Sequence, residues 1–209
     1  AAGSDGSTVR GLVINDFDLA GITLAGSDGH TIAGNYIGTD VTGNAVFGAM
    51  PLGLQLAGAN ANTIGGAAST DRNVIAVTSN TAVSLYASVN SDNVIRGNYI
   101  GVGADGSTAM LGQAGIQLEN GDTNNLIVDN VVAGSVNGIH VMTASGTTIQ
   151  GNRIGTNAAG TASVGSSTGI TVESSATATV IGGTGANEGN LISGRSEEHT
   201  SELQSRQSI

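Results

Sequence analysis

The chain has 209 residues, a length that suits one domain with a sizeable core. It contains 34 Gly, 1 Pro and 5 aromatic residues but no Cys, Trp or Lys, so a core must be built from many aliphatic side chains. Its net charge of −10 argues against nucleic acid or an anionic membrane as a partner, and the absence of a long apolar run argues against a membrane span.

A five-residue motif recurs along the chain. GNYIG stands at 34–38 and 97–101, and GNRIG stands at 151–155, with weaker copies between them. Alignment of the copies gives a column of asparagines, whose place in the first copy is taken by Leu12: Asn35, Asn73, Asn98, Asn130, Asn152 and Asn190. Internal repeats of this length are typical of solenoids.

Three apolar columns accompany the asparagines, and we predict one short strand for each. The first runs through Val9, Ile32, Ile64, Ile95, Ile127, Ile149 and Ile181. The second runs through Ile14, Ile37, Ile75, Ile100, Val132, Ile154 and Ile192. The third consists of the pairs Ile22/Leu24, Leu54/Leu56, Val83/Leu85, Ile116/Leu118, Ile139/Val141 and Ile170/Val172. Alternation within each segment turns one side inward and the other outward.

These columns predict an all-β fold, a single-stranded parallel β-helix with about seven rungs of about 22 residues plus loop insertions. Stacked rungs place identical side chains over one another, so isoleucines fill the interior. The asparagines are predicted to form a structural ladder, in which each amide donates to the next rung.

The segments NTIGG, GNYIGTD and the GIxL pattern resemble bacterial right-handed parallel β-helix repeat proteins of the pectate-lyase-like (pectin lyase-like) superfamily. The resemblance covers residues 1–194. It implies a right-handed helix and a secreted or cell-surface location, and it does not specify an activity because the motif consists of core and turn residues.

The last fifteen residues differ from the rest. Residues 195–205, RSEEHTSELQS, lack Gly and strand alternation, and they resemble the translation of a short-read sequencing adapter. We therefore expect 195–209 to be a non-native, disordered tail and 1–194 to be a β-helix domain truncated at both ends. Without the tail, 4 Arg and 13 acidic residues give a net charge of −9.

Outward positions of the second strand suggest glycan contacts. Tyr36, Tyr99 and Arg153 recur on every second rung, about 9–10 Å apart, which is close to the length of a disaccharide in an extended chain. Tyr rings can stack on sugars, and Arg can pair with a uronate. The alternative is that these bulky side chains pack against the inserted loops.

The third strand carries the most polar outward face. Its candidates for glycan contact are Gln55 and Gln117, and its candidates for catalysis are Glu119, His140 and Glu173. Two carboxylates about 9–10 Å apart with a histidine between them could serve acid–base chemistry. The alternative is a solvated polar face.

Insertions follow the second strand in alternate rungs, at 39–51, 102–113 and 156–168, and we expect them to form a wall along the rod. Asp40 and Asp105 in these loops are weak candidates for calcium ligands. The spacing of a calcium loop is missing, so turn formation explains them better, and we expect no cofactor.

Two functions remain open. The first is a structural or adhesive module of a larger secreted or cell-surface bacterial protein that contacts polysaccharide. The second is a fragment of a polysaccharide lyase or glycoside hydrolase. Because a solenoid cut within its array exposes sheet edges, we also expect end-to-end self-association.

Overall fold

The computed structural model describes residues 4–110 and 112–194; the proposed non-native tail, 195–209, lies outside the described residues. The described chain coils through seven rungs. Rungs 1 to 3 contain β1 (Thr8–Arg10), β2 (Val13–Ile14), β3 (Ala20–Ala25), β4 (Thr31–Ala33), β5 (Tyr36–Ile37), β6 (Leu52–Ala57), β7 (Thr63–Gly65), β8 (Val74–Ile75) and β9 (Thr81–Leu85). Rungs 4 to 7 contain β10 (Val94–Arg96), β11 (Tyr99–Ile100), β12 (Gly112–Leu118), β13 (Leu126–Val128), β14 (Val131–Val132), β15 (Ser135–Val141), β16 (Thr148–Gln150), β17 (Arg153–Ile154), β18 (Ser166–Val172), β19 (Val180–Ile181) and β20 (Leu191–Ile192).

Every third strand joins the same sheet, which gives three parallel sheets along the rod. The first and second sheets have seven strands each and start at β1 and β2; the third has six and starts at β3. Val9 pairs with Ile32, Ile14 with Ile37, and Ile22 with Leu54, and the same register continues through the described rungs. The predicted all-β parallel β-helix and its three columns are confirmed.

The interior of the rod is an aliphatic stack. Ile32, Ile64, Ile95, Ile127 and Ile149 are fully buried one above another in the first sheet. Because consecutive rungs are about 4.8 Å apart, each isoleucine contacts the one above and the one below and excludes water. A core with few aromatic residues is therefore sufficient here.

Within residues 4–110 and 112–194, helical structure is limited to one 3-10 turn, Ser69–Asp71. This part of the chain contains no helix with the length and hydropathy needed to cross a bilayer.

The asparagine ladder is present as predicted, and Asn98 shows its bonding. Its Nδ2 donates to Oδ1 of Asn130 (3.1 Å) and to the carbonyl oxygens of Ile64 (2.9 Å) and Arg96 (3.1 Å). Its backbone N–H also donates to Asn130 Oδ1 (3.0 Å), while its own Oδ1 accepts the backbone N–H and Nδ2 of Asn73. The amide thus satisfies polar groups on three rungs inside a buried turn.

A second internal ladder, not predicted from the sequence, precedes the first sheet. Its members are His30, Asn62, Asn93, Asn125, Thr147 and Thr179. Asn62 donates to Oδ1 of Asn93, and Asn93 donates to Oδ1 of Asn125. The hydroxyls of Thr147 and Thr179 are buried without a hydrogen-bond partner, so the amide ladder ends at Asn125. The sequence signal for this ladder is the asparagine that stands two residues before each of Ile64, Ile95 and Ile127.

The three inserted loops stack on one another and form a continuous wall. Each is a short hairpin, closed by the antiparallel pairs Thr39–Val46, Val102–Ala109 and Thr156–Ser163. The N–H of Ala104 donates to Gly43 O (2.9 Å), and the N–H of Ala158 donates to Gly106 O (2.8 Å). Because a hairpin is two strands thick, it fills the height of two rungs. This explains why the insertions occur in alternate rungs.

Candidate functional site

The outward side of the third sheet carries the polar candidates in two adjacent columns. One column runs through Thr23, Gln55, Ser84, Gln117, His140 and Thr171. The other runs through Ala25, Ala57, Tyr86, Glu119, Met142 and Glu173. We call the set Gln55, Tyr86, Gln117, Glu119, His140 and Glu173 the third-sheet face. Alternation along β6, β9, β12, β15 and β18 turns these side chains away from the interior.

Gln117 lies at the centre of the third-sheet face and holds Glu119. Its Nε2 donates to Oε1 of Glu119 (2.7 Å) and contacts the Met142 sulfur (3.5 Å). Its Oε1 accepts the Thr81 hydroxyl (3.2 Å). Gln117, Glu119 and Met142 are all half-buried, so this amide fixes one carboxylate oxygen and leaves the other available to a ligand.

His140 holds the second carboxylate. Its Nε2 lies 2.7 Å from Oε1 of Glu173 on the next rung, with side-chain exposures of 17% and 41%. A histidine–carboxylate pair of this length can hold or move a proton, and it can also bind sugar hydroxyls. The two carboxylates therefore have separate partners, Gln117 and His140.

Tyr86 also belongs to the third-sheet face, although it is not among the residues predicted from the sequence. The residue is 47% exposed and lies in the column between Ala57 and Glu119. The small side chain of Ala57 leaves one side of the ring open. Its position in the outward column is the sequence feature that identifies it as a member of this face. An exposed tyrosine among hydrogen-bonding groups can stack on a sugar.

The structure places Tyr36 and Tyr99 under the inserted loops, away from the third-sheet face. Both rings are half-buried and pack with Val74, Ala76 and Met110. The Arg72 guanidinium lies 4.0 Å from the Tyr99 ring centroid. These two rings therefore pack against the inserted loops, which is the alternative to a glycan contact.

Arg153, the third member of that column, is exposed. A Cβ on the loop residue Gly160 would lie 3.5 Å from its Nε and 3.8 Å from its Cδ, so the outer part of this side chain also borders the loop wall.

Asp40 and Asp105 bond to their own loops. The Thr42 hydroxyl and backbone N–H groups of the same loop donate to Asp40 and lower the pKa of its carboxyl. The Thr108 hydroxyl and the N–H groups of Thr108 and Ser107 lower the pKa of Asp105 to about 2. Through these hydrogen bonds, both carboxylates stabilise the turns of their own loops. In the part of the chain that the structure describes, no three His, Asp or Glu side chains come together as a metal site.

A buried carboxylate, Asp122, lies behind the third-sheet face. Its Oδ1 accepts the backbone N–H (2.8 Å) and Nδ2 (2.9 Å) of Asn90, and its Oδ2 accepts the N–H of Glu119 (3.1 Å). Burial raises the pKa of Asp122 from 3.8 to about 6, against the effect of these hydrogen bonds, and repulsion from Glu119 adds to the rise. The folded protein thus binds this proton more tightly than the unfolded chain.

The stability contributed by protonated Asp122 is therefore fully present below pH 3.8 and is lost as the pH rises through about 6. Relative to Asp122→Asn, which does not titrate, the wild type should lose on the order of 2 kcal/mol of unfolding free energy across this window. Urea unfolding of both proteins at several pH values measures this difference. A difference that stays constant with pH contradicts the assignment.

Comparison with known proteins identifies the family of the chain. The sequence profile described as "Right handed beta helix region" matches residues 1–184. No curated protein matches the chain. Among solved structures, HetL from the cyanobacterium Nostoc sp., a pentapeptide repeat protein involved in heterocyst differentiation regulation, is 9% identical over 90% of this chain and 92% of that chain. Its TM-score of 0.16 is too low to support an argument about fold or function. With the profile spanning most of the chain and three parallel sheets in the structure, the protein belongs to the right-handed β-helix family.

Proposed function

We propose that the chain is a structural or adhesive module of a larger secreted or cell-surface bacterial protein, and that it contacts polysaccharide through the third-sheet face. One observation supports this most strongly. The residues that repeat on every rung form the ladders and the core, whereas the third-sheet face gathers exposed and half-buried polar side chains whose type changes from one rung to the next.

The chemistry of this face suits a linear, hydroxyl-rich ligand. Gln117, Glu119 and His140 supply donors and acceptors, and Tyr86 supplies an exposed ring. Consecutive rungs are about 4.8 Å apart, so groups two rungs apart match the disaccharide step of an extended polysaccharide. The face is continuous because its strands stay in register from β3 to β18.

Affinity electrophoresis in gels that contain soluble polysaccharides tests the proposal. We expect the wild type to be retarded by at least one polysaccharide, and Tyr86→Ala combined with Gln117→Ala to weaken binding about tenfold. Tyr99→Phe, a tyrosine change away from the face, is the control and should bind like the wild type. Equal retardation of all three proteins would exclude the third-sheet face as the binding surface.

The alternative is a polysaccharide lyase or glycosidase fragment, and the 2.7 Å contact between His140 and Glu173 favours it as a second candidate. Such an enzyme would need a proton donor or acceptor at the bond that breaks. Glu173→Gln keeps the size of the side chain and removes its charge, so it separates acid–base chemistry from binding.

We further propose that the chain associates end to end with a second copy. Val13 of rung 1 and Ile192 of rung 7 are exposed on strands at opposite ends of the described sheets. Unpaired strand edges accept further strands, and Lys on an edge blocks this pairing. Sedimentation velocity should show concentration-dependent oligomers, reduced in Val13→Lys and Ile192→Lys. A wild type that is monomeric at every concentration contradicts the proposal.

A further inference from the structure

One type of loop occurs twice in the chain. Residues 64–71 (IGGAASTD) and residues 181–188 (IGGTGANE) have the same length, begin with the same three residues and end in an acidic residue. The first segment belongs to rung 3 and the second to rung 7, and each connects the first sheet to the second. We call them the rung-3 loop and the rung-7 loop.

The two loops have the same hydrogen bonds. The N–H of Gly34 in rung 2 donates to Asp71 O (2.9 Å), and the N–H of Gly151 in rung 6 donates to Glu188 O (3.4 Å). Each of the two acidic residues also donates its own N–H to the carbonyl oxygen three residues earlier, at 2.9 and 3.2 Å. Both acidic residues are half-buried. Asp71 and Glu188 therefore occupy equivalent places, each bonded to the rung before its loop.

An arginine reaches the rung-3 loop from two rungs before it. Arg10 stands at the last position of β1, in the register that continues through β4 and β7. Its Nη2 donates to Asp71 Oδ1 (2.6 Å) and to the carbonyl oxygen of Thr70 (3.3 Å). The guanidinium thus joins the loop to the outward side of the first sheet.

The rung-7 loop lacks this arginine. Two rungs before it, the equivalent position at the end of β13 is Val128, whose side chain is too short to reach the loop. Oε2 of Glu188 accepts the N–H of Gly185 instead (2.6 Å). Among the described residues, no basic side chain forms an ion pair with Glu188.

A groove of about 390 Å³ lies under the rung-7 loop, and it is lined both by Val128 and by Glu188. These are the places that Arg10 and Asp71 take in the first copy. The other side chains at the groove include Leu126, Asp129, Gln150 and Asn187. Because this lining faces back towards rungs 4 to 6, the open side of rung 7 does not form it.

Acceptor oxygens meet in this groove. A Cβ on Gly151 would lie 2.6 Å from Asp129 Oδ1 and 2.9 Å from the carbonyl oxygen of Asn187, so these two oxygens are neighbours. The Asn187 carbonyl is the equivalent of the Thr70 carbonyl to which Arg10 donates. Arg96 lies at the edge of the groove and pairs with the other oxygen of Asp129, Oδ2 (2.9 Å).

These acceptors suit a guanidinium group better than other ligands. A guanidinium presents several N–H donors in one plane, so it can bond to a carboxylate and to a carbonyl oxygen together, as Arg10 does. Leu126 and Val128 offer apolar surface for the methylene stem of an arginine side chain. An anionic ligand would be repelled by Glu188 and Asp129.

We propose that the groove under the rung-7 loop binds a guanidinium group in the place that Arg10 takes under the rung-3 loop. The site lies on the first sheet, so the proposal goes beyond the proposed function and does not depend on the third-sheet face. An arginine side chain of a partner protein and free arginine share this chemistry, and different probes distinguish them.

Titration of the ¹⁵N-labelled full chain with the capped peptide Gly-Arg-Gly, followed by NMR, tests the site. We expect saturable shifts of the backbone signals of Val128, Gln150 and Glu188. The same peptide with lysine tests the planar fork, and the peptide with citrulline keeps the shape of arginine without its charge. Both should bind at least about tenfold more weakly. Tighter binding of the peptide than of free L-arginine would identify a partner protein as the source, and the reverse would identify the free amino acid.

Val128→Arg places an arginine at the position that Arg10 has in the first copy. We expect this variant to pair with Glu188, to keep the unfolding midpoint of the wild type and to lose saturable binding of the arginine peptide. Glu188→Gln keeps an acceptor for the Gly185 N–H and removes the charge, so it should weaken binding at least about tenfold. Asp71→Asn makes the same kind of change in the rung-3 loop and is the matched control, which should bind like the wild type.

Three outcomes would overturn the proposal: the three peptides bind alike, Val128→Arg still binds the arginine peptide, or the shifts spread over acidic residues outside the groove. The last is what general attraction to a chain with a net charge of −10 would produce. Polysaccharide binding by the Tyr86 and Gln117 variant reports on the third-sheet face alone. Either proposal can therefore fail while the other stands.

Discussion

Asn98→Leu should lower the free energy of unfolding by about 4 kcal/mol or more, the largest loss that we expect from a single ladder residue. The change leaves the backbone N–H of Asn73 without its acceptor and takes one of two acceptors from Asn73 Nδ2, which keeps the Ile32 carbonyl oxygen. It also removes one donor from each of the carbonyl oxygens of Ile64 and Arg96, of which Arg96 O still accepts the Gly66 N–H. An unsatisfied buried polar group costs about 1–3 kcal/mol, and each further lost hydrogen bond costs about 0.5–1.5 kcal/mol. Chemical denaturation with a fixed m-value measures the loss.

Asn190→Leu is the matched control at the end of the ladder. Asn190 is only half-buried, accepts from Asn152 and donates to the Ile149 carbonyl, so water can replace part of its bonding. We expect this control to cost about 1–2 kcal/mol. If Asn98→Leu and Asn190→Leu cost the same, the ladder is not what holds neighbouring rungs together.

Gly101→Ala should cost at least about 3 kcal/mol and produce a protein that is partly unfolded at ambient temperature. Gly101 closes the second GNYIG motif with φ +69°, and a Cβ there would overlap the carbonyl oxygen of Ala133 on the next rung. The backbone of the next rung is fixed by its own sheet, so it has little freedom to move away. Thermal and urea unfolding measure the effect.

Gly11→Ala is the matched control, because it adds the backbone strain of a left-handed alanine without a steric clash of its Cβ. Gly11 has almost the same backbone angle, φ +70°, but a Cβ there would meet nothing within 4 Å. Its expected cost is the strain of a left-handed alanine alone, about 1–2 kcal/mol. A Gly101→Ala protein as stable as Gly11→Ala would show that close rung stacking does not select the glycine.

The columns of Ile32 and Asn98 could be predicted from sequence because each rung repeats the same residue types at the same register. The second ladder was missed because its column changes from His30 through asparagines to Thr147, so that the pattern is diluted. The hydrogen bond from Asn15 to the Thr39 carbonyl joins connecting segments of unequal length, whose contact no periodicity encodes. Likewise, the assignment of His140 to Glu173 rather than Glu119 follows from side-chain conformations.

We propose that the third-sheet face binds polysaccharide and does not cleave it. The most direct measurement incubates the wild type with the polysaccharides that it binds and follows new reducing ends, together with the ultraviolet absorbance of unsaturated uronates. We predict persistent binding with no product above a protein-free control. Product formation that disappears in Glu173→Gln, while binding is retained, would contradict the claim and identify the protein as an enzyme.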